Sequence, residues 1–549
     1  MRLQLPRLQP LVAFLAASLL FALVFAAPPP NFHEETATSG IHHAYRGGRE
    51  YLVGGGVAVF DCNQDGYPDI FLAGGAAPAA LYRNDSLKGG PLNFQAIPAS
   101  GLELERVIGA YPLDIDGDDL TDLAVLRVGE NLLLRGLGSC RFEVANESWG
   151  FSGGHEWSTA LAARWEPGHH WPTLAIGNYI DLDEPGAPFG TCQDNLLYRP
   201  ADNDHGFARP TVLTPSYCAL SMLFSDWNRS GEPSLRISND RQYYLTSEDR
   251  SGGEQLWHFS TAGDPIPYRA EDGWRKLQIW GMGIASADIT GDGYPEYFLS
   301  SMADNKLRTL VSGATGPSYQ DIAFQRGVTA HRPFTGDNQH PSTAWHAVFE
   351  DVDNDGFYDL FIAKGNVEAM PDFALEDPNN LLMGAADGSF TEVADKANLL
   401  SFKRARGAAV VDLNLDGLPD VVVSNREDEA QLWRNLGSGT VEHPEPLGNW
   451  LAVQPKQPGG NRDAIGAWLE VRVGSRTIRR EVTVGGGHAG GTLTWLHIGL
   501  GEAETALLRV SWPDGTVGPW LQLAANQFAV IDRGSLQARI WGPGARARR

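Results

Sequence analysis

The chain has 549 residues and carries 67 acidic against 43 basic side chains, a formal net charge of −24. That surplus excludes nucleic acid or an anionic membrane surface as the main partner, since both require clustered cations. With 42% hydrophobic residues, 16 Trp, 15 Tyr and 23 Phe the chain can bury a large core, and 63 Gly without a G-x-y period point to turn-rich β structure.

The first element is a targeting segment. Arg2 and Arg7 precede an apolar run from Leu11 to Ala26 that ends in small residues, so residues 1–26 are read as a cleaved signal peptide. No other stretch is long enough to cross a membrane. The expected location is secreted, periplasmic or on the cell surface. The next element, Phe32 to Gly40, resembles Phe390 to Asn398, a fourth-strand element that follows a repeat loop. It precedes the first loop instead, and is therefore expected to complete the last blade and close a ring.

Residues 27–445 hold a repeat. Its core segments begin at Asp61, Asp114, Asp226, Asp288, Asp351 and Asp412, separated by 53, 112, 62, 63 and 61 residues. The double gap holds a further unit, Thr159 to Gly168 followed by Leu174 to Asn178, with Arg164 where an aspartate is expected. Each loop is flanked by short apolar runs rich in β-branched and aromatic residues, such as Gly407 to Val411 and Asp420 to Val423, too short for helices. Two further strand signals, Leu81-Tyr-Arg-Asn and Phe94-Gln-Ala-Ile in the first unit, recur along the chain. Four strands per unit, seven times, predict an all-β fold: a seven-bladed β-propeller.

Four cysteines suit an oxidising compartment. Cys192 and Cys218 bracket a Pro-, Asn- and Asp-rich insertion and are expected to pair, leaving Cys62 and Cys140 by elimination, although four cysteines allow three connectivities. Residues 446–535 read as a small β domain and 536–549 as a tail with a frayed basic end at Arg546, Arg548 and Arg549. The pairs His42-His43 and His169-His170 read as exposed loop residues, His488 as a turn residue, and Gly485–Gly487 as a turn or bulge.

Oxygen ligands at loop positions 1, 3, 5 and 9, a carbonyl at 7 and glycine at 6 suit a hard cation. Five loops are complete: Asp61, Asn63, Asp65 and Asp69; Asp114, Asp116, Asp118 and Asp122; Asp288, Thr290, Asp292 and Glu296; Asp351, Asp353, Asp355 and Asp359; and Asp412, Asn414, Asp416 and Asp420. The carbonyls of Tyr67, Leu120, Tyr294, Phe357 and Leu418 would add the main-chain ligand. An all-oxygen set selects calcium, about five ions, over zinc or copper. An EF-hand is rejected because position 12 is Leu72, Ile362 or Val423 and the flanks are strands. The Asp226 loop has Ser230 and Ser234 where carboxylates belong, and the Asp114 loop has Asp119 in place of the turn glycine.

The loops and their companion motifs resemble the FG-GAP/VCBS repeats of integrin-α-like propellers. Gly460-Asn-Arg-Asp-Ala-Ile-Gly, Gly485-Gly-Gly-His and Trp512-Pro-Asp-Gly resemble the ASPIC/UnbV domain. Together they resemble the cartilage acidic protein family, which implies a calcium-binding propeller with a small β domain behind it and no established reaction.

No G-x-S-x-G, H-E-x-x-H or phosphate loop is present. A non-enzymatic binding or adhesion scaffold for an extracellular glycan or protein is the leading reading. The alternative is a calcium-dependent carbohydrate-active enzyme, a polysaccharide lyase or hydrolase, using His346 with Arg406. Counting back from each first aspartate places Arg106, Glu156, Trp157, Trp280, Trp345, His346, Arg404 and Arg406 at the channel mouth opposite the loops. Cations and aromatic faces there would attract an acidic or sulfated ligand and stack a sugar ring.

Overall fold

Each repeat forms an antiparallel four-stranded sheet. In the first, Val57–Phe60 pairs with Asp69–Leu72, then Ala80–Asn84, then Phe94–Ala96. The first two strands are buried at every position, whereas the outermost is buried only at Phe94. Neighbouring sheets cover both faces of the inner strands, which is why they read as apolar runs without alternation. The computed structural model describes residues 29–183, 191–241, 252–259, 263–329 and 340–544; the expected signal peptide lies outside them.

The other inner strands are Val107–Leu113, Ser158–Arg164, Ala219–Ser225, Gly281–Ala287, Ala344–Glu350 and Ala405–Val411. Each packs against the next, and the last packs against the first, so the sheets form a closed ring. The unit with Arg164 in place of the first aspartate keeps its sheet, because apolar burial rather than the loop builds the blade. The segment before the first loop closes the ring as its sequence suggested. Phe32–Glu34 pairs antiparallel with Gln431–Asn435, Phe32 opposite Asn435. A buried ion pair, Arg434 Nε to Glu35 Oε1 at 2.9 Å, anchors that last sheet.

The C-terminal domain consists of two four-stranded sheets. One runs Leu496–Gly501, Asn449–Lys456, Gln527–Asp532 and Arg539–Trp541; the other Arg476–Glu481, Trp468–Val473, Thr505–Ser511 and Leu521–Ala524. The boundary expected at 535 is therefore corrected: Arg539–Trp541 is a strand paired with Gln527–Asp532, not a tail. Both disulfides form, Cys62–Cys140 and Cys192–Cys218. The first joins the Asp61 loop to the second repeat; the second closes the insertion.

Candidate functional site

The loops share one hydrogen-bond plan. The first aspartate accepts from the amide at position 6: Asp61 from Gly66 at 2.7 Å, Asp351 from Gly356 at 2.7 Å and Asp412 from Gly417 at 2.8 Å. The position-5 carboxylate accepts from the amide at 7, as Asp355 does from Phe357 at 2.7 Å and Asp416 from Leu418 at 3.0 Å. Loop 2 keeps this plan without its glycine. Asp114 accepts from Asp119 N at 3.1 Å, and Asp119 adopts the left-handed φ of +70° that glycine would have supplied.

Position 9 does more than the sequence indicated. Both oxygens of Asp69, Asp122, Asp359 and Asp420 accept backbone amides, one from position 2 and one from the third strand. Each straps its loop to the sheet, and a carboxylate's remaining lone pairs stay open to a cation. Burial, then like charge, raises the pKa of Asp351, Asp359, Asp412 and Asp420 well above the carboxylate range, and lifts Asp355 to about 7.

Several loop oxygens are buried without a donor: Asp288 Oδ1, Asp351 Oδ1, Asn414 Oδ1 and Asp416 Oδ2. Native proteins rarely leave such atoms unmatched. Carboxylate oxygens of Asp351, Asp353 and Asp355 lie within 4.8 Å of one another, as do those of Asp114, Asp116 and Asp122. This donor set fits a calcium ion.

The C-terminal domain docks on the loop face. The Trp450 indole and the Arg476 guanidinium fill the space a Cβ would take at the turn glycines Gly417 and Gly356, and the Trp541 indole does so at Gly66. Trp495 Nε1 donates to Gly66 O at 3.1 Å, Tyr358 Oη donates to Arg479 O at 2.8 Å, and Arg480 grips Glu350 with two bonds of 2.8 Å.

From this domain a glycine-rich tongue enters the central channel. Val484, Gly485, Gly487 and Gly490 bridge to Ala163, Leu223, Ile284 and Ala110 on four inner strands. Thr492–Leu493 adds a parallel fifth strand to the first sheet, Val59 opposite Thr492. His488, expected in a turn, is fully buried: its backbone N donates to His346 Nδ1 at 3.0 Å, and Gly54 N donates to its Nε2 at 3.1 Å. Burial lowers His346 to about 4 and His488 to about 3, so both are neutral. The signal for the tongue was present. Gly56 and Gly109 both face the Ala489 carbonyl, and glycine within a strand marks a close backbone approach.

The far mouth differs from the expected open funnel. Trp157, Trp345, His346 and Arg406 are buried, Arg106 is exposed, and Glu156, Trp280 and Arg404 are half-buried. Bulges between Ala344 and Ala347 and between Ala405 and Ala408 interrupt the pairing where Trp345, His346 and Arg406 sit. Arg406 is fully buried, donates to the carbonyls of Leu52, Ala405, Asn366 and Val367, and lies 4.1 Å from the Trp345 ring centroid. Trp345 in turn meets His488 at 5.1 Å. That column buries Arg406 fully, which takes it out of the lyase role the sequence suggested, whereas His346 borders the cavity on the loop side. His43 is likewise buried, its Nε2 2.9 Å from Ala73 O, rather than exposed.

Open volume lies instead on the loop side. A cavity of about 800 Å³ is bounded by inner-strand ends such as Val348, by the tongue, and by Arg479, Lys456, Trp495 and Trp541 of the C-terminal domain.

These features define an FG-GAP-repeat β-propeller carrying an ASPIC/UnbV domain. The FG-GAP-like repeat family matches residues 61–125 and 351–423, and the ASPIC and UnbV family matches 457–538. Over most of its length the chain is similar to cartilage acidic protein 1. It is 23% identical to the Xenopus tropicalis protein over 498 residues, and 22% identical to the Mus musculus protein over 491; each alignment covers 84% of this chain and 70% of the relative. Among solved structures it is similar to BBS1N in complex with ARL6DN, at a TM-score of 0.41 and 9% identity, covering 74% of this chain and 96% of that one. It is also similar to an Agrocybe aegerita lectin that recognises non-reducing terminal N-acetylglucosamine, at a TM-score of 0.27 and 16% identity, covering 71% and 79%. Two disulfides fit an oxidising compartment, and no helix among the described residues is long and apolar enough to cross a membrane.

Proposed function

We propose that the chain is an exported calcium-binding scaffold that holds an extracellular glycan or protein. The observation carrying the calcium reading is the set of buried, donor-less oxygens at Asp351, Asn414 and Asp416, set in loops of the same plan. An ion at each loop would bind the first, third and fifth side chains and the carbonyl at position 7, and would neutralise carboxylates that otherwise repel one another.

The ligand site we favour is the cavity between the loop face and the C-terminal domain, since the far mouth is filled by the chain's own side chains. Its wall offers the indoles of Trp495 and Trp541, 5.1 Å apart and half-buried, which suit a sugar ring or an apolar side chain. An array of glycans and extracellular proteins, probed in calcium and in EDTA, tests this. Binding in calcium that is lost in Trp541→Ala supports the site; binding unchanged in that variant moves it elsewhere.

A further inference from the structure

The five complete loops differ in what already balances their charge. In the Asp114 loop, Arg135 stands on the third strand of the same sheet, with Nε 2.9 Å from Asp116 Oδ2 and Nη2 2.8 Å from Asp118 Oδ2. Arg462 of the C-terminal domain approaches the same loop, Nε 3.5 Å from Asp114 Oδ2 and Nη1 3.7 Å from Asp119 Oδ1. Two guanidiniums thus share a loop with four expected ligand carboxylates. In the Asp288 loop, Arg479 Nη1 sits 2.9 Å from Asp288 Oδ2. Thr290 Oγ1 donates to Glu296 at 3.1 Å, and Thr309 Oγ1 donates to the same oxygen at 2.8 Å.

The Asp351 and Asp412 loops are different. Among the described residues, no lysine or arginine forms an ion pair with Asp351, Asp353, Asp355 or Asp359, nor with Asp412, Asp416 or Asp420. Arg476 does reach the Asp351 loop, but it donates to the Asp355 carbonyl at 3.2 Å and lies over the Phe357 ring at 4.2 Å, so its charge acts on Asp351 and Asp355 without an ion pair to either carboxylate. These two loops also hold three of the donor-less buried oxygens.

We propose that guanidinium groups divide the calcium loops into two classes: tight sites at Asp351 and Asp412, and weak sites at Asp114 and Asp288, where arginine takes part of the cation's place. A cation entering a tight loop gains carboxylates that have no cationic partner among the described residues. One entering a weak loop must compete with a bidentate or half-buried guanidinium and face its repulsion. The proposal rests on the calcium reading and deepens it. It also gives the C-terminal domain a role in metal affinity, since Arg462 and Arg479 come from that domain.

The test is native mass spectrometry of the full chain at graded free calcium, after chelation. Ions should fill in two steps at least tenfold apart in calcium concentration. Asp353→Asn should remove one ion from the tight step, and Asp116→Asn one from the weak step. Arg135→Gln, at a side chain 42% exposed and so tolerated by the fold, should move one ion from the weak step toward the tight one. Ions filling in a single step, or an Arg135→Gln pattern identical to the unmodified chain, overturn the division while leaving calcium binding intact. No bound ion at millimolar calcium overturns the calcium reading and the division together.

Discussion

Gly109→Ala probes how the tongue locks the two domains together. A Cβ built on Gly109 would lie 1.6 Å from the Ala489 oxygen and 2.6 Å from its carbonyl carbon. These are backbone atoms and cannot rotate away. Ordinary contact begins near 3.4 Å, so tongue and strand must separate by about 1.8 Å, breaking the Ala110–Gly490 bridge next to them. Overpacking of this kind costs about 1–3 kcal/mol. Gly109 has no left-handed φ, so alanine meets no strain of its own there; without the clash the change would stabilise by about 0.4–1 kcal/mol through the unfolded chain. The two accounts therefore differ in sign. Differential scanning calorimetry should show Tm falling by about 1–3 °C, and limited proteolysis should release the C-terminal domain faster. Gly542→Ala, with nothing within 4 Å of the added methyl, is the control and should change neither. A Gly109→Ala protein as stable as the parent, or more so, would refute the threaded tongue.

Deleting Phe32 to Gly40 should leave the Gln431–Asn435 strand with a bare edge and Arg434 without Glu35; size-exclusion chromatography should show aggregation, and an unchanged monomer would contradict closure by this strand. Acid should destabilise the channel. His346 and His488 are held near 4 and 3, below the usual 6.5, so the unfolded chain binds protons that the folded chain refuses. The share of stability from these two groups is full above pH 6.5 and falls by about 2 kcal/mol per histidine at pH 5; because the raised loop carboxylates act with the opposite sign in that window, chemical denaturation at pH 7.5 and 5 is compared between the parent and His346→Gln, and an equal pH dependence in both would refute the burial.

The blades were legible because each unit repeats a loop signature and a pair of doubly covered strands at a fixed period. The closing strand at Phe32 was legible for the same reason, as a fourth-strand motif standing before any loop. The tongue was not. Gly485 to Gly491 carries no periodicity, and its partners Ala110, Leu223 and Ile284 lie hundreds of residues upstream. Arg406 and Trp345 were expected at the channel mouth, but bulges and a covering of carbonyls make them part of the interior. The acidic loops were legible one by one, whereas the arginines near them were not. Arg462 and Arg479 are distant in sequence, and Arg135 occupies a strand position whose counterpart Arg83 pairs with Asp85 instead.

The most direct test of the central claim is thermal unfolding of the full chain in EDTA and in millimolar calcium. At ~1 mM calcium and a Kd of ~0.1 mM each ion adds about 1.4 kcal/mol, so the ions of the Asp351 and Asp412 loops together raise stability by nearly 3 kcal/mol, and Asp353→Asn removes half of that. A Tm about 2–3 °C higher in calcium, with a smaller rise in Asp353→Asn, is the predicted result. The same Tm in both buffers would contradict the account.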